Sequence, residues 1–82
     1  MNNKWQKTSD INWTKLAEEN NSVVIYGKNV DIHLGDIFQK EKSLDYASGI
    51  VHSCGPNFVV IRSFNEIVFK FQICDIEKVM VL

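Results

Sequence analysis

Cysteine, arginine, long apolar runs and any excess of one charge sign are all scarce in this chain, and each scarcity narrows the reading. Two cysteines, Cys54 and Cys74, are too few for a disulfide framework and lack the CxxC spacing of zinc ribbons or redox motifs. A reducing, intracellular setting is the expectation. Arg62 stands alone among nine basic residues, and ten acidic ones leave a formal net charge of −1. No global field then recruits nucleic acid or an acidic membrane, so a partner must be recognised locally. Nowhere do 18 apolar residues follow one another, and the opening MNNKWQKTSDINW holds no apolar run of the kind a signal peptide needs. The chain reads as soluble and unexported, a cytoplasmic protein without membrane contact.

What is present is apolar material for one small core. Hydrophobic residues make up 45% of 82, with five Phe, two Trp and two Tyr, too much for disorder. A chain of this length forms one domain and buries only roughly 60% of its unfolded surface. The abundance of Asn, Lys and Ile suits an AT-rich bacterial or phage genome.

The stretch Gly49 to Leu82 organises the rest. Its Val-, Ile- and Phe-rich runs are cut by GPN and NE, which predicts four short strands in succession. Gly49–Cys54, Phe58–Phe64 and Ile67–Cys74 form an antiparallel meander, since the intervening segments leave room only for hairpins. Ile67, Phe69, Phe71 and Ile73 share one face of the third. A two-residue loop before it would turn Phe58, Val60, Arg62 and Phe64 to that core side. A three-residue loop with a bulge would bring Val59 and Ile61 there instead and leave Arg62 exposed. Asn65-Glu66 is a poor type I′ turn, which favours the second register. Asp75–Lys78 is then a single tight turn, 3₁₀ in form, before Val79–Leu82 pairs back into the sheet.

Upstream, Ser9 or Asp10 can cap a short helix over Ile11–Glu19, with Ile11, Leu16 and either Ala17 or Trp13 as its apolar side and Asn20-Asn21 as its terminator. Residues 1–9 fray unless Trp5 ties them down. SVVIY is a strand, Gly27-Lys28-Asn29 a turn, and VDIHL a half-buried strand by its alternation. Gly35-Asp36 breaks that strand, and the polar 39–48 interval is an exposed loop pinned by Leu44 and Tyr46. The expected division is a tail and short helix over 1–22, packing on a barrel over 23–82.

A strand, a long polar loop, three meandering strands, a helical turn and a last strand is an order that resembles the SH3-like small barrels. VDIHLGDIF followed by GIV is similar to the openings of such barrels. The resemblance implies a mostly β, five- to six-stranded antiparallel barrel with one short N-terminal helix. It also implies binding of peptide, nucleic acid or copies of the chain rather than catalysis. No ALYDY-like segment is present, so the proline-binding aromatic set of peptide-binding SH3 domains is not carried over. The Sm-like barrels, with a short helix before five strands, are a second resemblance without their signature motifs.

Catalytic and metal chemistry find little support. His33, His52, Cys54 and Cys74 are all the soft ligands, without paired spacing, although His52 and Cys54 share a strand face by their i, i+2 spacing. Their use as a nucleophilic pair would need a lowered thiol pKa and a pocket that a small filled barrel lacks. The carboxylates Asp31, Asp36, Asp45, Glu66, Asp75 and Glu77 have no paired spacing and read as solvated. No cofactor is expected. What remains are contact residues: Trp5 and Trp13 in the N-terminal segment, Tyr46 in the loop, and Phe58, Arg62, Phe64 and Lys70 on the meander. The expectation is a non-catalytic protein-interaction module, an adaptor, inhibitor or regulatory subunit, whose partner is another protein or a second copy. The alternative is a barrel binding single-stranded RNA or DNA through aromatics interleaved with basic residues, Lys28 among them.

Overall fold

The computed structural model describes residues 4–82, the side chains of residues 41–45 excepted. Six strand runs and one helix follow in order: β1 (Trp5–Lys7), α1 (Trp13–Glu19), β2 (Ser22–Leu34), β3 (Ile37–Cys54), β4 (Phe58–Arg62), β5 (Ile67–Gln72) and β6 (Ile76–Val81). The sheet order is β1-β6-β2-β3-β4-β5, and β5 returns to pair with β2, so β2 to β5 close into a small four-stranded barrel. β2 lies against β3 along its length, against β6 over Val23–Gly27 and against β5 over Asp31–Leu34. Because its register with β6 shifts at Tyr26/Gly27 and it serves a different strand on either side of that point, it acts as two strands. The barrel with its extra strands thus has seven strand segments, more than the five to six expected.

The long β2–β3 hairpin is where the structure departs most from the sequence reading. Gly27-Lys28-Asn29 is no turn: Gly27 pairs with Leu44 and Lys28 with Ser43, so the ladder runs straight through. Asn29, at φ 53, bends the strand locally without ending it. Nor is 39–48 a loop, since it forms the middle of β3 and pairs with β2. The chain reverses at Gly35-Asp36 instead, between the paired Leu34 and Ile37, with Gly35 supplying the positive φ of 58° that a two-residue hairpin turn needs. Pinning by Leu44 lies outside the described side chains.

The meander has the expected three strands, and its register is the one that leaves Arg62 outside. Phe64–Glu66 makes a three-residue connection closed by Ser63 N–H donating to the Ile67 carbonyl at 2.8 Å. Val59 then faces Phe71 and Ile61 faces Phe69, and Val59, Ile61 and Phe71 are fully buried. The final 3₁₀ turn comes earlier than expected, at Ile73–Asp75 rather than 75–78, and β6 already begins at Ile76. Gly27 has room for no side chain, because a Cβ there would stand 2.9 Å from the Asp75 carbonyl oxygen of that turn.

The helix starts later than expected because Asn12, not Ser9 or Asp10, accepts the Lys15 amide at 3.1 Å, while Thr8–Asp10 forms a separate 3₁₀ turn. Asn20 closes it in left-handed geometry at φ 49. Trp13 and Leu16, one turn apart, enter the core with Val23, Ile25, Val30, Ala47, Val51, Ile76 and Val79. The helix lies against β3, held where Asn20 Nδ2 donates to the Val51 carbonyl and Val51 N–H to that of Asn21. β1 pairs with β6, so residues 5–7 belong to the same sheet as the barrel. Among the described residues no helix is long and apolar enough to cross a membrane.

Candidate functional site

The pleat sorts side chains between core and surface, and three surface clusters result. The first surrounds a groove of about 790 Å³ between the β3 segment Ser48–Ile50 and the β4–β5 turn. Ile50 faces Arg62 across the β3–β4 ladder, and the next residues along β4 lead into a turn where Asn65 and Glu66 have φ of 59° and 61°. That sharp reversal holds Phe64 outward at 86% exposure. Leu82 and Ile50, each nearly half exposed, line the groove with it, and His52 and Arg62 flank it. Among the described residues no Asp or Glu side chain lines it.

A second cluster lies on the outer face of β1, β6, β2 and β3. Lys78 is opposed by Lys7 on one side and by Tyr26 on the other, and Met80 likewise by Trp5 and Val24. Residues opposed across a ladder point to the same face, so these form one surface. Tyr46 joins it through ring contacts, stacked on Trp5 at 5.8 Å and tilted against Tyr26 at 5.3 Å. The Lys78 ammonium sits 4.6 Å from the Trp5 ring centre and 5.2 Å from that of Tyr26. Lys28 continues the face two residues beyond Tyr26 and is exposed.

A third cluster caps the β2–β3 hairpin, where Leu34, Ile37 and Phe38 are exposed and Phe38 meets the His33 ring edge-on at 4.7 Å. Nearby on this barrel wall, Lys40 reaches Asp31 at 3.6 Å with its own side chain three-quarters exposed, a pair of small energetic weight.

Of the sequence-selected contact residues, Arg62 and Phe64 meet at the groove, and Trp5 and Tyr46 meet on the aromatic face. Phe58 and Lys70 form a separate pair, the Lys70 ammonium 4.7 Å from the half-buried Phe58 ring. Trp13 must be withdrawn from the set. It is 7% exposed within the core, so its ring is occupied by the fold and no partner can reach it. Tyr26, Lys78, Ile50 and Leu82 were missed; Tyr26 and Lys78 join the aromatic face only through the β1–β6 and β2–β6 pairings, which no local pattern announces.

No match.

That is the outcome of comparing this chain with family models, with curated proteins and with solved structures. The reading therefore rests on geometry. For the soft ligands, β3 carries a bulge between Val51 and Ser53, so Val51 and Cys54 both turn toward the core side while His52 is exposed. His52 and Cys54 thus do not share a face. His52 Nδ1 lies 3.4 Å from the Ser53 hydroxyl, and the Cys54 sulfur lies 3.9 Å from the Thr14 hydroxyl. Cys74 is exposed elsewhere, and among the described residues no three His, Cys, Asp or Glu side chains converge as a metal site would require.

Proposed function

We propose that this chain is a non-catalytic protein-interaction module, a small barrel of the SH3-like kind that serves as an adaptor, inhibitor or regulatory subunit of bacterial or phage origin. The closed four-stranded barrel, the consecutive meander and the 3₁₀ turn before the last strand support the SH3-like assignment. The observation that carries the function is Phe64. A large aromatic side chain 86% exposed at the tip of a turn with two left-handed residues contributes little to folding, and it stands over an apolar-floored groove. The occupant is an extended segment of another protein that offers an apolar anchor to Ile50, Phe64 and Leu82 and an acidic side chain to Arg62. Charge complementarity at Arg62 selects it, because the guanidinium faces no Asp or Glu side chain among the described residues of the lining.

Selection from a displayed random-peptide library tests this. Enriched peptides should pair a large apolar residue with Asp or Glu, and both Phe64→Ser and Arg62→Glu should abolish their binding. Enrichment indifferent to Phe64 would refute the groove as the site. Self-association in sedimentation that Phe64→Ser removes would replace the foreign segment with a second copy of the chain.

A further inference from the structure

The aromatic face across β1, β6, β2 and β3 is a different surface from the groove, built from different chemistry. Its aromatics, Trp5 and Tyr26, each contact the Tyr46 ring outside the core, and Tyr46 keeps 57% of its surface exposed. Lys78 lies over two of these rings, Lys7 opposes Lys78 across β1 and β6, and Lys28 follows Tyr26 by two residues on β2. The directly opposed pairs on this face, Trp5 with Met80, Lys7 and Tyr26 with Lys78, and Val24 with Ser48, contain no acidic residue. Two acidic residues border it in the register: Glu77, at the β6 irregularity beside Lys78, and Asp45, next to Tyr46 on β3, whose side chain lies outside the described ones. A chain of net charge −1 has thus gathered three of its cations beside three of its aromatics.

We infer that this face binds single-stranded nucleic acid, with Tyr46 as the ring on which a base stacks and Lys7, Lys28 and Lys78 as contacts to the flanking phosphates. Two features favour a strand over a peptide. Flat bases use ring faces as platforms whatever their sequence, and Tyr46 presents a ring more than half exposed. Among the described side chains these lysines also pair with no carboxylate, and the Lys78 ammonium rests against ring faces at 4.6 and 5.2 Å, where a phosphate can reach it. Duplex is disfavoured because its bases are already stacked and offer no face to Tyr46. The Trp5–Tyr46 stack preorganises the platform and fixes β1 to the sheet, so ligand binding and ordering of the N-terminal strand are coupled.

The test is fluorescence anisotropy of a labelled 12-mer of oligo(dU) against the full chain, from low to moderate salt. With about three phosphates neutralised, log K should fall against log[salt] with a slope of about −2, at about 0.7 per contact on a single strand. Tyr46→Ala should weaken binding by about fivefold to a hundredfold, the loss of one stacked base. Tyr46→Phe, which keeps the ring, should bind like the parent and so separates stacking from any fold defect. Lys78→Gln should flatten the slope by about 0.7. Phe64→Ser, on the groove, should leave the oligonucleotide affinity unchanged. The inference is overturned if no salt-dependent binding occurs, if duplex of equal length binds as well, or if Tyr46→Ala and Tyr46→Phe behave alike.

Discussion

Replacing Gly49 by alanine tests how tightly the barrel closes beside the groove. Gly49 sits on β3 one residue before the β4 ladder begins, and a Cβ built there stands 2.5 Å from the Arg62 carbonyl oxygen, 2.9 Å from its carbon and 2.9 Å from Ile61 Cγ2. The obstacle is mostly backbone, so it cannot rotate away. Its φ is not in the left-handed region, so strain of the residue itself does not enter. Two effects then oppose one another. Alanine reduces the freedom of the unfolded chain and stabilises by about 0.4–1 kcal/mol, whereas forcing the end of β4 aside costs about 1–3 kcal/mol. The clash wins, with a net loss of about 1–2 kcal/mol, which in a domain of this size lowers Tm by about 4–16 °C. Urea unfolding followed by tryptophan emission should show a lower midpoint at unchanged slope. Gly35→Ala gives the control: nothing lies within 4 Å of its Cβ, but its φ of 58° costs about 1 kcal/mol, and asparagine should recover most of that. At Gly49 asparagine should do no better than alanine. A Gly49→Ala midpoint equal to or above the parent's would refute the account, as would asparagine rescue at that position.

Asn12→Ala should destabilise by about 1 kcal/mol, because the amide of Lys15 loses its side-chain acceptor in a helix of only two turns; the same urea titration reads it. Glu66→Gly should raise stability by up to about 1 kcal/mol, since glycine relieves the φ of 61° at this exposed turn position while adding some freedom to the unfolded chain. Loss of stability on that change would mean that the Glu66 side chain holds the turn.

The meander was legible because each of its signals is local. Alternation in Ile67–Phe71 names its core face, and the poor turn propensity of Asn65-Glu66 selects the three-residue connection that puts Val59 and Ile61 inside. Asn20 as helix terminator and an exposed Arg62 follow from equally local reasoning. The β2–β3 hairpin was not legible, and its residues explain why. Gly27 in the sequence GKN reads as a turn former, but glycine is needed there for the close passage of a distant segment, the Asp75 backbone. Phe38 to Lys40 lie on an arm where successive residues are exposed, so no period of two marks the strand. The bulge at Val51/Ser53 likewise shifts His52 and Cys54 to different faces, which spacing alone cannot reveal. The aromatic face was half visible: Trp5 and Tyr46 could be selected as surface aromatics, but their meeting depends on β1 pairing with β6, a contact across almost the whole chain.

The exposed aromatics raise a question of stability that a comparison of two variants answers. A domain of this length has about 4–12 kcal/mol in total, so large apolar side chains left outside are hard to explain by the fold. Phe64 has little burial to lose, and Phe38, 54% exposed, forfeits its edge contact with His33, worth about 0.5–1.5 kcal/mol. Phe38→Ser with Phe64→Ser should therefore lower stability by no more than about 1.5 kcal/mol and leave a cooperative transition. Phe71→Ala, which empties a fully buried site in the middle of the barrel, should cost about 3–5 kcal/mol and bring the chain near unfolding. If the double serine variant fell as far as Phe71→Ala, both phenylalanines would be supports of the barrel and the groove would lose its claim as a binding surface. If it holds, the barrel stands without Phe64, and the groove keeps its claim as a binding surface for the peptide selection to test.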